Sequence, residues 1–158
     1  MNHACPPGGE RPLTKGERAL VRAMFGNAVD TDPVRIKRRK WFPFQPANVV
    51  MAPQGHVHFH PSGPHYCDDF ADAPSAAQGL FIHEMVHVWQ AQTNGRHWLV
   101  LHRHPFCRYL YTFEPGRAFG RYGIEQQAEI VRHAFLARIG YPESEAPSLT
   151  ELERVLPF

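Results

Sequence analysis

Residues 80–90 read Leu-Phe-Ile-His-Glu-Met-Val-His-Val-Trp-Gln, and three of them, His83, Glu84 and His87, could do chemistry together. On an α-helix, residues four apart project from one face with Cβ atoms about 6 Å apart, so two imidazoles at this spacing can converge on one ion. Glu84 lies about 100° round the helix from His83. From there its carboxylate can reach a water on that ion without ligating the ion itself. Ligand duty and base duty are thus separated, as metal-assisted hydrolysis requires. The bland alternative is two exposed histidines and a glutamate on a solvated face. Leu80, Phe81, Ile82, Met85, Val86, Val88 and Trp89 argue against it, because they make the helix apolar on nearly every side. Buried polar side chains need partners, and one cation would serve all three.

A zinc ion held this way needs a third protein ligand and an open position for water. The longer pattern H-E-x-x-H-x-x-G-x-x-H is absent, since Gln90 stands at its glycine and Thr93 at its last histidine. The remaining ligand must come from elsewhere. Residues 123–129, Gly-Ile-Glu-Gln-Gln-Ala-Glu, offer Glu125 and Glu129 four apart at the start of a later helix. Acids in a first helical turn also suit the macrodipole and need no other reason. Yet Ile124, Ala128 and Val131 form an inward stripe, and Glu125 beside it can reach a buried ion. Glu125 is therefore the leading candidate, with Glu129, His97, His102 and His104 as alternatives by ligand chemistry.

The elements that must position these residues follow from periodicity and turn signals. Residues 14–25 read as a helix, with Thr14 and Glu17 at capping-box spacing and Gly26 as the stop. Residues 34–36 suit a short strand. Residues 48–52 and 56–60 look like the arms of a hairpin around Pro53-Gln54-Gly55. In its second arm His56, His58 and His60 share one face. Neighbours on that face lie about 6.5–7 Å apart, too far for all three to hold one ion, so they are expected on a wet face. The central helix is expected from Ser75, with Gln78 as capping partner, to about Thr93, where Asn94-Gly95 ends it. Residues 98–102 and 108–113 are strand-like. A last strong helix covers 124–139 on the stripe Ile124, Ala128, Val131, Phe135 and Ile139.

At this point the residues resemble a known group. H-E-x-x-H on one helix with E-x-x-A-E on a later one is similar to the gluzincin pattern of thermolysin-like and anthrax-lethal-factor-like peptidases. That resemblance implies zinc ligation by Glu125, and it makes Glu129 the acid that orients His83, a link that fixes the tautomer of the ligand. Over roughly residues 34–139 the chain also resembles small bacterial zincin-like proteins of the Vgr-related or DUF4157 (injection-system core) type. Such domains accompany type VI secretion and related contractile injection systems. The resemblance implies a bacterial protein, made in the cytoplasm and exported by such a system, with a spike or tube component as partner.

The expected fold is α+β, a small zincin-like single domain with a short mixed or antiparallel sheet packed on the H-E-x-x-H helix and on the second, glutamate-bearing helix. Its organisation would be a flexible Pro/Gly-rich N-terminus over 1–12, the metallopeptidase domain over 13–140, and a tail over 141–158 with a short helix at 149–156. The chain's 158 residues suit one core, and its 43% hydrophobic content excludes wholesale disorder. A net charge of +2 argues against a nucleic-acid binder. No apolar run approaches the about 18 residues of a membrane helix, and the first eleven residues carry no secretory signal pattern. Cys5, Cys67 and Cys107 form no paired motif, so free thiols are expected.

The activity these features imply is zinc-dependent hydrolysis of peptide bonds by a monomeric metalloendopeptidase with one zinc ion. His83, His87 and Glu125 would hold the ion and Glu84 would act as base. A stabiliser of the tetrahedral oxyanion is normally present. Tyr122, near Glu125, is the named candidate, with Tyr109, Tyr111 and His133 also open. An extended peptide or protein substrate would pair with the strand at 56–60. The rival reading is a catalytically silent, zinc-stabilised adaptor of a type VI or contractile injection system. Retention of Glu84 favours the enzyme, because a structural site needs no base.

Overall fold

Helix α1 (Lys15–Phe25) starts where its sequence says it should: the Thr14 hydroxyl accepts the Glu17 amide, and Glu17 Oε2 accepts the Thr14 amide. In this computed structural model, which describes residues 4–158, Glu17 does more than cap. Its carboxylate, fully buried, takes two hydrogen bonds from the Arg11 guanidinium at 2.8 Å each and one from the Phe70 amide at 3.1 Å. One acid thereby ties the N-terminal segment, α1 and the loop before the central helix together.

Strand β1 (Glu10–Pro12) pairs antiparallel with β2 (Arg35–Lys37), which pairs parallel with β3 (Val57–His58), giving the sheet order β1-β2-β3. The N-terminal arm expected over 1–12 thus contributes a strand, and its residues 1–3 lie outside the described ones. The expected hairpin reduces to a single antiparallel bridge, with Met51 and His58 exchanging backbone hydrogen bonds of 3.1 and 2.7 Å. Gln45 Nε2 also donates to the His58 carbonyl. On the outer side of β3 the backbone groups of His58, where a substrate strand was expected to pair, are therefore taken by Met51 and Gln45. His58 also departs from the wet-face expectation. Enclosed by β2, Met51 and an edge-on Trp41 ring at 5.4 Å, it is buried, while His56 and His60 are partly exposed.

The sheet is anchored to the helices through a row of rings. Phe59 stacks on Phe70 at 5.4 Å, and Phe70 on Phe81 of helix α2 (Ser75–Asn94) at 5.1 Å. Helix α2 is buried along much of its length, as its all-round apolar sequence requires. Its N-cap is Pro74 with no side-chain cap, and Gln78 donates instead to the Ala71 carbonyl, so the capping box expected at Ser75 does not form. Gly95 ends the helix at φ 104°, a conformation that favours glycine.

Residues 98–102, expected as a strand, form a short helix α3 (Trp98–His102) packed on α2. A five-residue apolar run has no decisive period, and here no strand lies beside it to pair with. The turn instead closes on Gly95 and His97 carbonyls, burying Leu99 alone. Residues 108–113, also expected as a strand, run without regular structure for the same lack of a partner. Helix α4 (Ile124–Arg138) lies against α2 in the main helix pairing of the fold, and α5 (Leu149–Val155), capped by Ser148, buries Leu152 against it. The architecture is a small α+β domain, a three-stranded sheet with helices. Among the described residues no helix is long and apolar enough to cross a membrane, and none of the three cysteines is in a disulfide.

Candidate metal centre

Packing of α2 on α4 brings three donor atoms together. His83 Nε2 and His87 Nε2 each stand 3.1 Å from Glu125 Oε2, and 3.3 Å from each other. All three side chains are buried, and they form the one cluster of metal-ligating type among the described residues. The opposite nitrogen of each ring is committed. His83 Nδ1 lies 2.9 Å from Glu129 Oε1, and His87 Nδ1 lies 2.8 Å from Gln90 Oε1. Both partners are acceptors, so each Nδ1 can donate to its partner, which turns each Nε2 toward Glu125.

Gln90 itself is held from the other side. Its Nε2 donates to the Ile124 carbonyl at 3.1 Å and to Gln127 Oε1 at 3.0 Å, which leaves its own Oε1 turned to His87. Glu129 has an equivalent brace in Arg132, whose Nη1 donates to Oε2 at 3.0 Å. The spare oxygen of Glu125, Oε1, faces Arg103 Nε at 2.9 Å in an ion pair that lies off the line of a directed hydrogen bond. Arg103 follows α3 directly, and its Nη2 reaches the Tyr109 hydroxyl at 3.4 Å. The Tyr109 ring stacks over His83 with centroids 5.9 Å apart.

The electrostatics suit a cation. Burial disfavours a charged His83, but Glu125 and Glu129 outweigh it and hold its imidazole up, to about 9. Burial also works against an ionised Glu125, yet His83, His87 and Arg103 together keep its carboxyl well below the usual range. Glu84, buried on α2 beside them, is pushed up by its burial, and its Oε2 has no hydrogen-bond partner. Beside Glu125 opens a cleft of about 430 Å³, walled by Trp41, Phe42, Met51 and Val100, with Arg103 as its single Lys or Arg.

Of the residues singled out from sequence, His83, His87 and Glu125 converge, Glu84 adjoins them, and Glu129 meets His83. The alternatives do not join the cluster: His97, His102 and His104 are exposed, the first against Gln54 and the second against the Trp98 carbonyl. Tyr122 corrects another expectation. It is buried, and its hydroxyl accepts the Glu114 amide. Only its backbone carbonyl connects to the histidines, through Gln127 and Gln90. The tyrosine against the site is Tyr109. Gln90 could have been found in the sequence, since it follows His87 by three residues on the same helix face. Tyr109 was among the open alternatives to Tyr122, whereas Arg103 carried no such signal.

No family model matches the chain. The type VI secretion system spike protein VgrG2b of Pseudomonas aeruginosa is 37% identical to it over 145 residues, covering 87% of this chain. The chain spans only 14% of that protein's length. The solved effector domain of P. aeruginosa VgrG2b superposes with a TM-score of 0.72 at 31% identity, over 98% of this chain and 83% of that one.

Proposed function

We propose that this chain, which belongs to the family of the VgrG2b effector domain, is a secretion-system effector whose chemistry is zinc-dependent hydrolysis of peptide bonds. The observation that carries the reading is the triangle His83 Nε2, His87 Nε2 and Glu125 Oε2, with sides of 3.1, 3.1 and 3.3 Å. Three buried groups of metal-ligating type thus converge on one point, and a single cation there would satisfy all three at once. The triangle also has the right size. Bonds of about 2.0–2.1 Å in a tetrahedral zinc site set ligand atoms about 3.3 Å apart. The donor set of two imidazoles and one carboxylate fits zinc with one position open, and the unpartnered Glu84 Oε2 supplies the base such a site needs.

His83, His87 and Glu125 would hold the ion, as in gluzincins. When bound, zinc supplies a Lewis acid that polarises a carbonyl and lowers the pKa of a water toward about 7. The remaining work belongs to the chain. Glu129 and Gln90 fix the tautomers of the two imidazoles, so both Nε2 atoms stay available. Glu84, held in a buried site that raises its proton affinity, takes a proton from the attacking water and returns it to the leaving amine. The apolar cleft beside Glu125 would receive the peptide. Membership of the effector family supports export by a secretion apparatus, with a spike component as partner.

One observation favours a second reading, a zinc-stabilised adaptor without turnover: His83, Glu84, His87 and Glu125 are only 5, 4, 2 and 1% exposed. Comparing wild type with Glu84→Gln decides between them, with bound zinc and hydrolysis measured on a panel of peptides and candidate partner proteins. The enzyme reading requires equal zinc and a loss of about 10²–10⁴-fold in turnover. Equal zinc with no turnover by either protein establishes the adaptor.

A further inference from the structure

We propose that Arg103 is a positioning residue of the metal centre, holding the Glu125 carboxylate so that one oxygen alone, Oε2, is presented to the two imidazoles. The inference rests on the zinc reading above and assigns a role to a residue outside the two motif helices. The two oxygens of Glu125 are divided: Oε2 faces both histidines at 3.1 Å, and Oε1 faces Arg103 Nε at 2.9 Å. A free carboxylate can grip a metal ion with both oxygens. Here that would make four protein donors and close the position that hydrolysis requires open. A fixed guanidinium on Oε1 opposes this and keeps Glu125 a one-oxygen ligand.

The fold supplies Arg103 with a mount for the task. It is the C-cap of α3, its own amide bonded to the Leu99 carbonyl at 2.8 Å, and Leu99 anchors that turn in the interior. Its other end reaches Tyr109, which lies over His83. Arg103 and Tyr109 therefore bracket two members of the triad from the cleft side. The same device recurs one turn along α4, where Glu129 gives Oε1 to His83 and Oε2 to Arg132. Each acid of the E-x-x-A-E motif thus has one oxygen for the histidines and one for an arginine. Residues that orient metal ligands in this way typically contribute about 10–100-fold to metal affinity.

The test uses wild type, Arg103→Met and Arg103→Lys, each checked for folding by circular dichroism. Zinc affinity is measured by competition with a chromophoric chelator, and coordination number by the visible absorption of the cobalt(II)-loaded protein, intense for four ligands and weak for five. Arg103→Met should bind zinc about 10–100-fold more weakly and lose cobalt band intensity. Arg103→Lys, which keeps the charge without the fixed fork, should fall between, and it decides the matter if the methionine variant does not fold. Unchanged affinity and spectrum in folded variants, with only a lowered melting temperature, would overturn the proposal and leave Arg103 an ordinary salt bridge. Wild type that fails to bind zinc at all defeats the underlying zinc reading instead, a distinct outcome.

Discussion

Replacing Gln90 by Met should damage the metal centre and the fold together, by amounts that the structure lets us work out. Gln90 is 1% exposed, and methionine roughly preserves its volume, so the perturbation is the loss of polar groups. Three bonds go: His87 Nδ1 to Gln90 Oε1, and Gln90 Nε2 to the Ile124 carbonyl and to Gln127 Oε1. Gln127 is only partly buried and can turn to water, and the Ile124 carbonyl lies in the first turn of α4, so the heaviest loss is the orphaned His87 N–H. A buried unsatisfied donor costs about 1–3 kcal/mol and each of the other two lost neutral bonds about 1, giving about 3–5 kcal/mol in all. For a chain of this size that lowers the melting temperature by about 6–20 °C. Because His87 loses the partner that fixes its tautomer, zinc affinity should fall by about 10–100-fold as well. Gln90→Glu should separate the two effects, since its carboxylate still accepts from His87 but cannot donate to Ile124. It should keep or tighten zinc binding while the metal-free protein is destabilised. The assays are thermal melts with and without zinc and a chelator competition. A methionine variant with wild-type zinc affinity and a melting shift below about 2 °C would refute the reasoning.

Other consequences are simpler. Glu17→Ala leaves the Arg11 guanidinium buried without its carboxylate, which should cost about 3–5 kcal/mol of unfolding free energy. A loss under 1 kcal/mol in urea denaturation would show that Glu17 is not the tie described above. Burial lowers the His58 imidazole to about 4, whereas an unfolded histidine titrates near 6.5, so the unfolded chain binds its proton first. The neutral ring's contribution is complete above about 6.5 and is lost as pH falls toward 4, by about 3 kcal/mol. The stability gap between wild type and His58→Gln should shrink by that amount between pH 7 and pH 4, and parallel curves would contradict it. Gly16→Val should destabilise by about 1–3 kcal/mol, because even a Cβ at that position would lie 2.5 Å from the Ala71 Cβ. An unchanged unfolding midpoint would show that α1 can withdraw from the Phe70–Asp72 turn.

The contrast between what was legible in the sequence and what was not has a physical cause. His83, His87 and the Glu125–Glu129 pair sit on long helices, where a spacing of four residues fixes which side chains share a face. Once two such helices pack, their convergence needs little else. The same regularity shows α1 with its Thr14–Glu17 box and the start of α4. Failures fall where no helical period operates. Residues 98–102 are too few for their apolar pattern to distinguish strand from helix, and only the absence of a neighbouring strand decides. His58 reads as an outward residue by alternation, but the bridge to Met51 and the ring of Trp41 enclose it. Tyr122 is near Glu125 in sequence, while Tyr109, sixteen residues before Glu125, reaches the site because the irregular stretch 103–113 runs beside it. Arg103 belongs to that same stretch, and nothing local in the chain announces that it meets Glu125.

Anomalous diffraction from crystals grown with zinc, recorded on both sides of the zinc absorption edge, addresses the central claim most directly. One peak is predicted, within about 2.0–2.2 Å of His83 Nε2, His87 Nε2 and one oxygen of Glu125. Zinc bound elsewhere, or a triad that stays closed on itself in zinc-saturated crystals, would contradict the account.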